Sequence, residues 1–143
     1  MADFQKIRLR AAKRKGGEAE LSSLLGPAPD NAAVADIADD RILSVMAERV
    51  FAAGFVWRVI EQKGPGFEEA FLHFEPKRLL FQPDDFWHDL TADKRIVRNG
   101  QKIMSVKENA AFVDRVSREH DGFGNFLASC RYDGHAGKFF NTF

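Results

Sequence analysis

The chain is nearly devoid of cysteine, with Cys130 alone among 143 residues. An internal disulfide is impossible, a reducing compartment fits, and the cytoplasm is the expected location. No apolar run approaches the roughly 20 residues that span a bilayer, so no membrane partner is expected. The N-terminus is charged and lacks a hydrophobic signal region. Net charge of one sign is missing too: 21 Lys and Arg balance 21 Asp and Glu. Bulk charge alone therefore does not hold this chain to nucleic acid. No segment alternates apolar and polar residues convincingly, which argues against strands. No Gly-x4-Gly-Lys phosphate loop, dinucleotide fingerprint or Gly-flanked nucleophile elbow is found. His73, His88, His120 and His135 are scattered. Cys130 and His135 form a lone Cys-x4-His, short of the four ligands of a structural zinc site. No metal and no cofactor are expected.

What is present is aromatic. Fourteen Phe and two Trp, with 45% apolar residues overall, supply the core of one domain and leave rings to spare. Charge is balanced globally but not locally. Residues 1–15 carry Lys6, Arg8, Arg10, Lys13, Arg14 and Lys15 against Asp3 alone. Residues 91–107 carry Lys94, Arg95, Arg98, Lys102 and Lys107 against Asp93. A neutral protein with one basic face can still bind phosphates there; the N-terminal run, taken by itself, fits a solvated helix face better.

The pattern predicts an all-α chain. Helices are expected over 3–15, stopped by Gly16-Gly17, and over Glu18–Leu25, stopped by Gly26-Pro27. Pro27–Asp36 reads as a loop or linker. Asp39-Asp40 opens the main helix, where two carboxylates cap free N–H groups and oppose the positive dipole end. Ile42, Leu43, Val45, Met46, Val50 and Phe51 make that helix apolar over most of its circumference, hence buried. Gly54 breaks it. An apolar pattern resumes at Phe55 and ends at Gly64-Pro65-Gly66. Phe67, Ala70, Phe71 and Phe74 form a further helix face. Pro76–Phe81 and Pro83–Leu90 are short helices with Pro near the first position. Ile103, Val106, Ala110, Val113 and Val116 mark a long amphipathic helix, and Asn125–Ala128 one more turn. The tail from Ser129 shows no periodicity.

Two segments carry chemistry. A short helix, a basic turn over Thr91–Gln101 and an amphipathic helix make the order of a helix-hairpin-helix unit. Gly100 lets backbone approach a partner. The following helix start can hold a phosphate, with Arg98, Asn99 and Lys102 as donors, and such contacts position DNA without reading sequence. A surface turn with solvated cations fits the same pattern. The second segment is the Gly54 break, where Phe55 and Trp57 can serve as a wedge and a stacking surface for an extruded base. Taken alone, the two rings equally fit a core at a helix kink.

Together these residues resemble the bacterial DNA-3-methyladenine glycosylase I family, from about Asp40 to Glu119. The likeness rests on Ala53-Gly54-Phe55-x-Trp57, on Phe67-Glu68-Glu69-Ala70-Phe71 leading to Phe74-Glu75-Pro76, and on Ile96-Val97-Arg98-Asn99. Lys102-Ile103 and Asn109-Ala110 continue it. The resemblance implies a helix-hairpin-helix glycosylase domain over 39–128, preceded by an N-terminal helical segment and linker over 1–38 and followed by an atypical tail over 129–143. It implies hydrolysis of the N-glycosidic bond of alkylated purines, chiefly 3-methyladenine, in base excision repair, with damaged double-stranded DNA as partner. Trp57 matches the pocket tryptophan. Gly54 and Phe55 match the wedge turn, where the family usually has Leu for Phe55. Arg98, Asn99, Gly100 and Lys102 match the hairpin side that grips the backbone.

The departures are specific. The family pattern before the turn is Leu-Glu-Gly-x-Gln-Ala-Gly-Leu-Ser-Trp, and its Glu helps recognise the base. Arg49 stands at that position and Glu48 one residue earlier, a rotation of about 100° on a helix. Both are kept as base-binding candidates, and no catalytic residue is named. The family's N-terminal Cys-x-Trp and Asn-Glu-Trp-Gly motifs and its zinc ligands are absent, as expected of a zinc-free branch. The family continues for several helices beyond the region near Phe126, so the fold is expected to be incomplete at its C-terminus, through truncation or a frameshift. Two other functions remain open: a non-catalytic DNA-binding remnant and a helical protein-interaction module.

Overall fold

The computed structural model of the chain describes residues 3–27 and 30–130. Every element among them is helical, as the sequence predicts. The chain divides into two compact units between residues 30 and 31.

The first unit is a helical hairpin of α1 (Phe4–Lys15) and α2 (Glu18–Leu25). Asp3 caps α1 by accepting a hydrogen bond from the Gln5 N–H at 3.1 Å. Gly16 closes it in the left-handed region at φ 93°, with the Gly17 N–H reaching the Ala12 carbonyl at 2.9 Å. The Arg8 side chain pairs with Glu18 across the hairpin.

The second unit begins with a difference from the expectation. Asn31–Ala35, predicted as linker, is a short helix, α3, packed against α10 (Phe123–Ser129). The Ala, Pro and Asn content of 27–36 hides it, because five residues show no helical period and only tertiary contact stabilises so short a helix. The centre of the unit is α4 (Asp39–Ala52) against α9 (Gly100–His120). Leu43 and Phe51 of α4 meet Ile103, Val106 and Val113 of α9, all fully buried. Phe51 packs edge-on against Phe67 with ring centroids 4.8 Å apart, and Phe71 stacks on Phe74 at 5.3 Å. Such pairs contribute about 0.5–1.5 kcal/mol beyond the area they bury.

Four local expectations are corrected. Val45 is 52% exposed, so α4 buries one stripe and not most of its circumference. Asp39 does not cap its own helix. Its Oδ1 accepts the Phe123 N–H at 2.9 Å and so caps α10, 84 residues away. Gly64-Pro65-Gly66 ends α5 (Trp57–Gln62) but is also the first turn of α6 (Gly64–Ala70), where Pro is tolerated because its missing N–H has no intrahelical partner. The aromatic face over 67–74 is not one helix. Helix α6 stops at Ala70, and Leu72, His73 and Phe74 form a 3₁₀ turn at φ 53°, 59° and 57°. Three consecutive non-glycine residues there are strained. The Arg41 guanidinium holds the turn by donating to the His73 carbonyl at 3.0 Å.

Beyond that turn come α7 (Pro76–Leu80) and α8 (Asp84–Leu90), then a loop and α9. Residues 131–143, most of the tail predicted as atypical, lie outside the described residues.

Candidate nucleic-acid interface

Gly54 sits at φ +72° with no atom within 4 Å of a Cβ built on it. The turn needs glycine for its backbone and not for space. It carries the chain from α4 into α5 and leaves Phe55 49% and Trp57 38% exposed. Neither ring is core, which removes the reading of both as residues buried at a kink. Trp57 is the first residue of α5. The Arg49 guanidinium lies over its ring, 4.8 Å from the centroid, a cation–π contact.

Glu48 is elsewhere. It lines a cavity of about 300 Å³ with Ser44, Ile60, Glu61, Gly64, Phe67, Glu68 and Phe74. Trp57 and Arg49 are not among its lining residues, so the one-residue step on α4 does separate the two candidates. In that cavity Glu68 accepts two hydrogen bonds from Arg41, at 3.0 and 2.9 Å, and one from the Ser44 hydroxyl at 2.8 Å. Burial pushes the Glu68 carboxyl up, but the Arg41 and Ser44 hydrogen bonds outweigh it and hold it below the ordinary range.

The loop between α8 and α9 is braced at several points. Asp93 accepts the Arg95 N–H at 2.8 Å and pairs with its guanidinium at 2.6 Å. That pairing holds the Asp93 carboxyl below its usual value. Lys63 donates to the Lys94 carbonyl at 2.9 Å. At Gly66 an added Cβ would stand 2.7 Å from the Arg95 carbonyl oxygen, so α6 and the loop touch backbone to backbone. Asn99 is the N-cap of α9 and its Oδ1 accepts the Lys102 N–H at 3.1 Å. Gly100 faces open space, and a Cβ added there would meet nothing within 4 Å. Arg98 is exposed and has no hydrogen-bond or ion-pair partner among the described residues.

Lys102 behaves differently from its sequence neighbours. Its ammonium donates to the carbonyls of Phe51 at 3.1 Å and Ala53 at 2.5 Å, and lies 5.9 Å from the Phe55 ring centroid. A cation leaves the positive end of α9 and satisfies carbonyls at the negative end of α4. Nothing in the sequence spacing signals this contact across 49 residues.

The two segments meet in one groove of about 240 Å³, lined by Phe55 and Val59, by Ile96, Val97 and Arg98, and by Lys63 and Lys94. The Ala53–Trp57 turn and the α8–α9 loop are therefore adjacent. The sequence does not single out Lys63, since it lies outside both basic segments. Lys94 lies within one of them, and that charge run is its signal. Among the described residues no three His, Cys, Asp or Glu side chains are grouped to hold a metal, and no helix is long and apolar enough to cross a membrane.

The helical architecture is shared with solved glycosylase structures. Similar solved structures include a point variant of 3-methyladenine DNA glycosylase I in complex with 3-methyladenine, at TM-score 0.60 and 24% identity, covering 64% of this chain and 49% of that one. A second is 3-methyladenine DNA glycosylase I from Staphylococcus aureus in a study of 3-methyladenine recognition, at TM-score 0.59 and 23% identity, covering 63% and 48%. The chain thus spans about half the length of these structures. No curated protein matches the sequence. Residues 33–139 match the methyladenine glycosylase family, and the chain belongs to that family.

Proposed function

We propose that the chain is a DNA glycosylase of the 3-methyladenine type, acting on alkylated purines in double-stranded DNA during base excision repair. The observation that carries this reading is the groove that exposed Phe55 lines together with Arg98, Lys63 and Lys94. An apolar wedge beside an unpaired cation, here Arg98, is what extruding a base requires. Phe55 enters the gap left in the duplex and Trp57 stacks on the extruded base. The α8–loop–α9 segment acts as a helix-hairpin-helix grip, with Arg98 and the open backbone at Asn99–Gly100 on the phosphates. Arg49 must leave the Trp57 ring for a base to stack there. Glu48 lines a separate cavity and is given no contact with a base stacked on Trp57.

The chemistry is mild. N3-alkylation places positive charge on the purine and weakens the bond from its nitrogen to C1′ of the sugar. That bond breaks with its electron pair going to the base, which leaves neutral. Water adds to C1′ and gives up a proton to solvent. The protein's part is to extrude, stack and orient.

The test is release of 3-methyladenine from methylated duplex DNA. Stacking a base on an aromatic ring contributes about 1–3 kcal/mol, so Trp57→Ala is expected to slow release by about ten- to a hundredfold. Unchanged release removes Trp57 from the site. The Arg49 guanidinium on the Trp57 face favours a second reading, a DNA-binding remnant without base release. Salt-dependent duplex binding by the wild type with no release of base identifies that case.

A further inference from the structure

Residues 3–27 form a unit with almost no core: Ala12 and Leu21 are the buried residues of its two helices. Its charge is arranged, however. At about 100° per residue, Lys6, Arg10, Lys13 and Arg14 fall within one sector of roughly 100° on α1. All four are exposed, and their side chains have no hydrogen-bond or ion-pair partner among the described residues. Arg8, which pairs with Glu18, lies outside the sector. Helix α1 contains no acidic side chain in its first turn, and none elsewhere along its length.

This arrangement works against the helix that carries it. Like charges four residues apart, as at Lys6–Arg10 and Arg10–Arg14, are destabilising. Lys13 and Arg14 gain from the negative end of the helix dipole, but Lys6 sits in the first turn, where a cation opposes it. An extended anion along the stripe adds an attraction at each cation that offsets these unfavourable terms. Lys6 and Arg14 are about 12 Å apart along the axis, and duplex DNA offers a negative charge about every 1.7 Å of its own axis. Several phosphates therefore fit beside the stripe.

We infer that the cationic stripe of α1 is a second DNA-backbone contact, which binds duplex phosphates without regard to base sequence or damage. It is separate from the α8–α9 loop and stands on the charge pattern of the first unit, not on base release. Its contribution is a salt-dependent increase in affinity for any duplex.

The experiment measures Kd of the full chain for an undamaged duplex by fluorescence anisotropy between about 50 and 200 mM salt. The fourfold variant Lys6→Gln, Arg10→Gln, Lys13→Gln, Arg14→Gln is expected to lower the slope of log K against log salt by about 3.6, at about 0.9 for each phosphate no longer neutralised. The charge-preserving exchange of the same positions, Lys to Arg and Arg to Lys, is expected to keep the slope, and separates charge from folding. An unchanged slope in the Gln variant overturns the inference. So does a reduced slope in the charge-preserving variant, which indicates structure and not charge. If the Gln substitutions leave the duplex slope intact but abolish binding to vesicles rich in phosphatidylserine, the stripe serves a membrane and the inference fails. A wild type that releases no base while the stripe sets the duplex slope sinks the glycosylase reading alone.

Discussion

The Ala53–Trp57 turn and the Thr91–Lys102 segment line the same groove, yet they are built in opposite ways. The hairpin segment is fastened along its length. Asp93 and Arg95 close it internally, Lys63 holds the Lys94 carbonyl, Ile96 is 2% exposed, and Asn99 caps the helix that follows. The turn has one glycine in a left-handed conformation, two exposed rings and an exposed Val56. Its principal tie is Lys102, which belongs to the other region. On the proposed reading the difference fits the two tasks: a backbone grip must be rigid to fix register, whereas a wedge must enter a duplex and leave it. The difference places preorganisation in the hairpin and lets the turn borrow it through one ammonium.

Removing that ammonium is the largest expected perturbation of the comparison. Lys102→Met keeps the stem but frees the Phe51 and Ala53 carbonyls, and hydrogen bonds to charged groups contribute about 1.5–3 kcal/mol. The variant is expected to lose about 2 kcal/mol of stability by denaturant unfolding. Base release should fall further than duplex affinity, because the turn loses its anchor while the hairpin keeps its own. The sequence-based alternative, Lys102 as a phosphate ligand, predicts the reverse: stability unchanged and the salt slope reduced by about 0.9. The two measurements together decide which region Lys102 serves.

Much of this comparison is legible in the sequence, and the rest is hidden for physical reasons. The long period-three-and-four pattern from Ile103 to Val116 locates α9, since burial enforces it at each turn. Gly54 inside an apolar run is equally readable, because backbone geometry dictates it. What escapes is tertiary. Asp39 looks like a cap for α4 and caps α10 instead. The left-handed turn at Leu72–Phe74 contains none of the glycine or asparagine that usually marks one, and it depends on Arg41 from a different helix. Val45 looks like core, yet no helix covers it among the described residues. For the candidate site, residue types mark both segments. Only the tertiary structure separates Glu48 from Trp57 and assigns Lys102 to the turn.

Acid loosens the hairpin side in a defined direction. The Arg95 hydrogen bonds hold the Asp93 carboxyl below its ordinary value of about 3.9. A carboxyl depressed in the folded state stabilises above its unfolded pKa, and that contribution is lost as pH falls through the lowered folded value. The wild type is therefore expected to keep this brace at neutral pH and to lose it progressively below about pH 4. Asp93→Asn should show a shallower fall in stability over that range, with hydrogen exchange at Arg95 and Ile96 already faster at neutral pH. Faster exchange at Phe55 instead would mean that the turn, and not the hairpin, depends on this pair.

The smallest effect on the fold is expected at Arg98, and it is the most selective test of what the hairpin is for. The side chain is exposed and without a protein partner among the described residues, so Arg98→Ala should change stability by no more than about 0.5 kcal/mol. If it contacts one phosphate, the salt slope for duplex binding falls by about 0.9 and affinity drops equally on damaged and undamaged DNA. Base release at saturating protein then stays unchanged, since the contact positions DNA and does not touch the base. An affinity decrease confined to damaged DNA places Arg98 with Phe55 at the extruded nucleotide. That result would dissolve the division of labour between the two segments, because the groove they share would then act as one site.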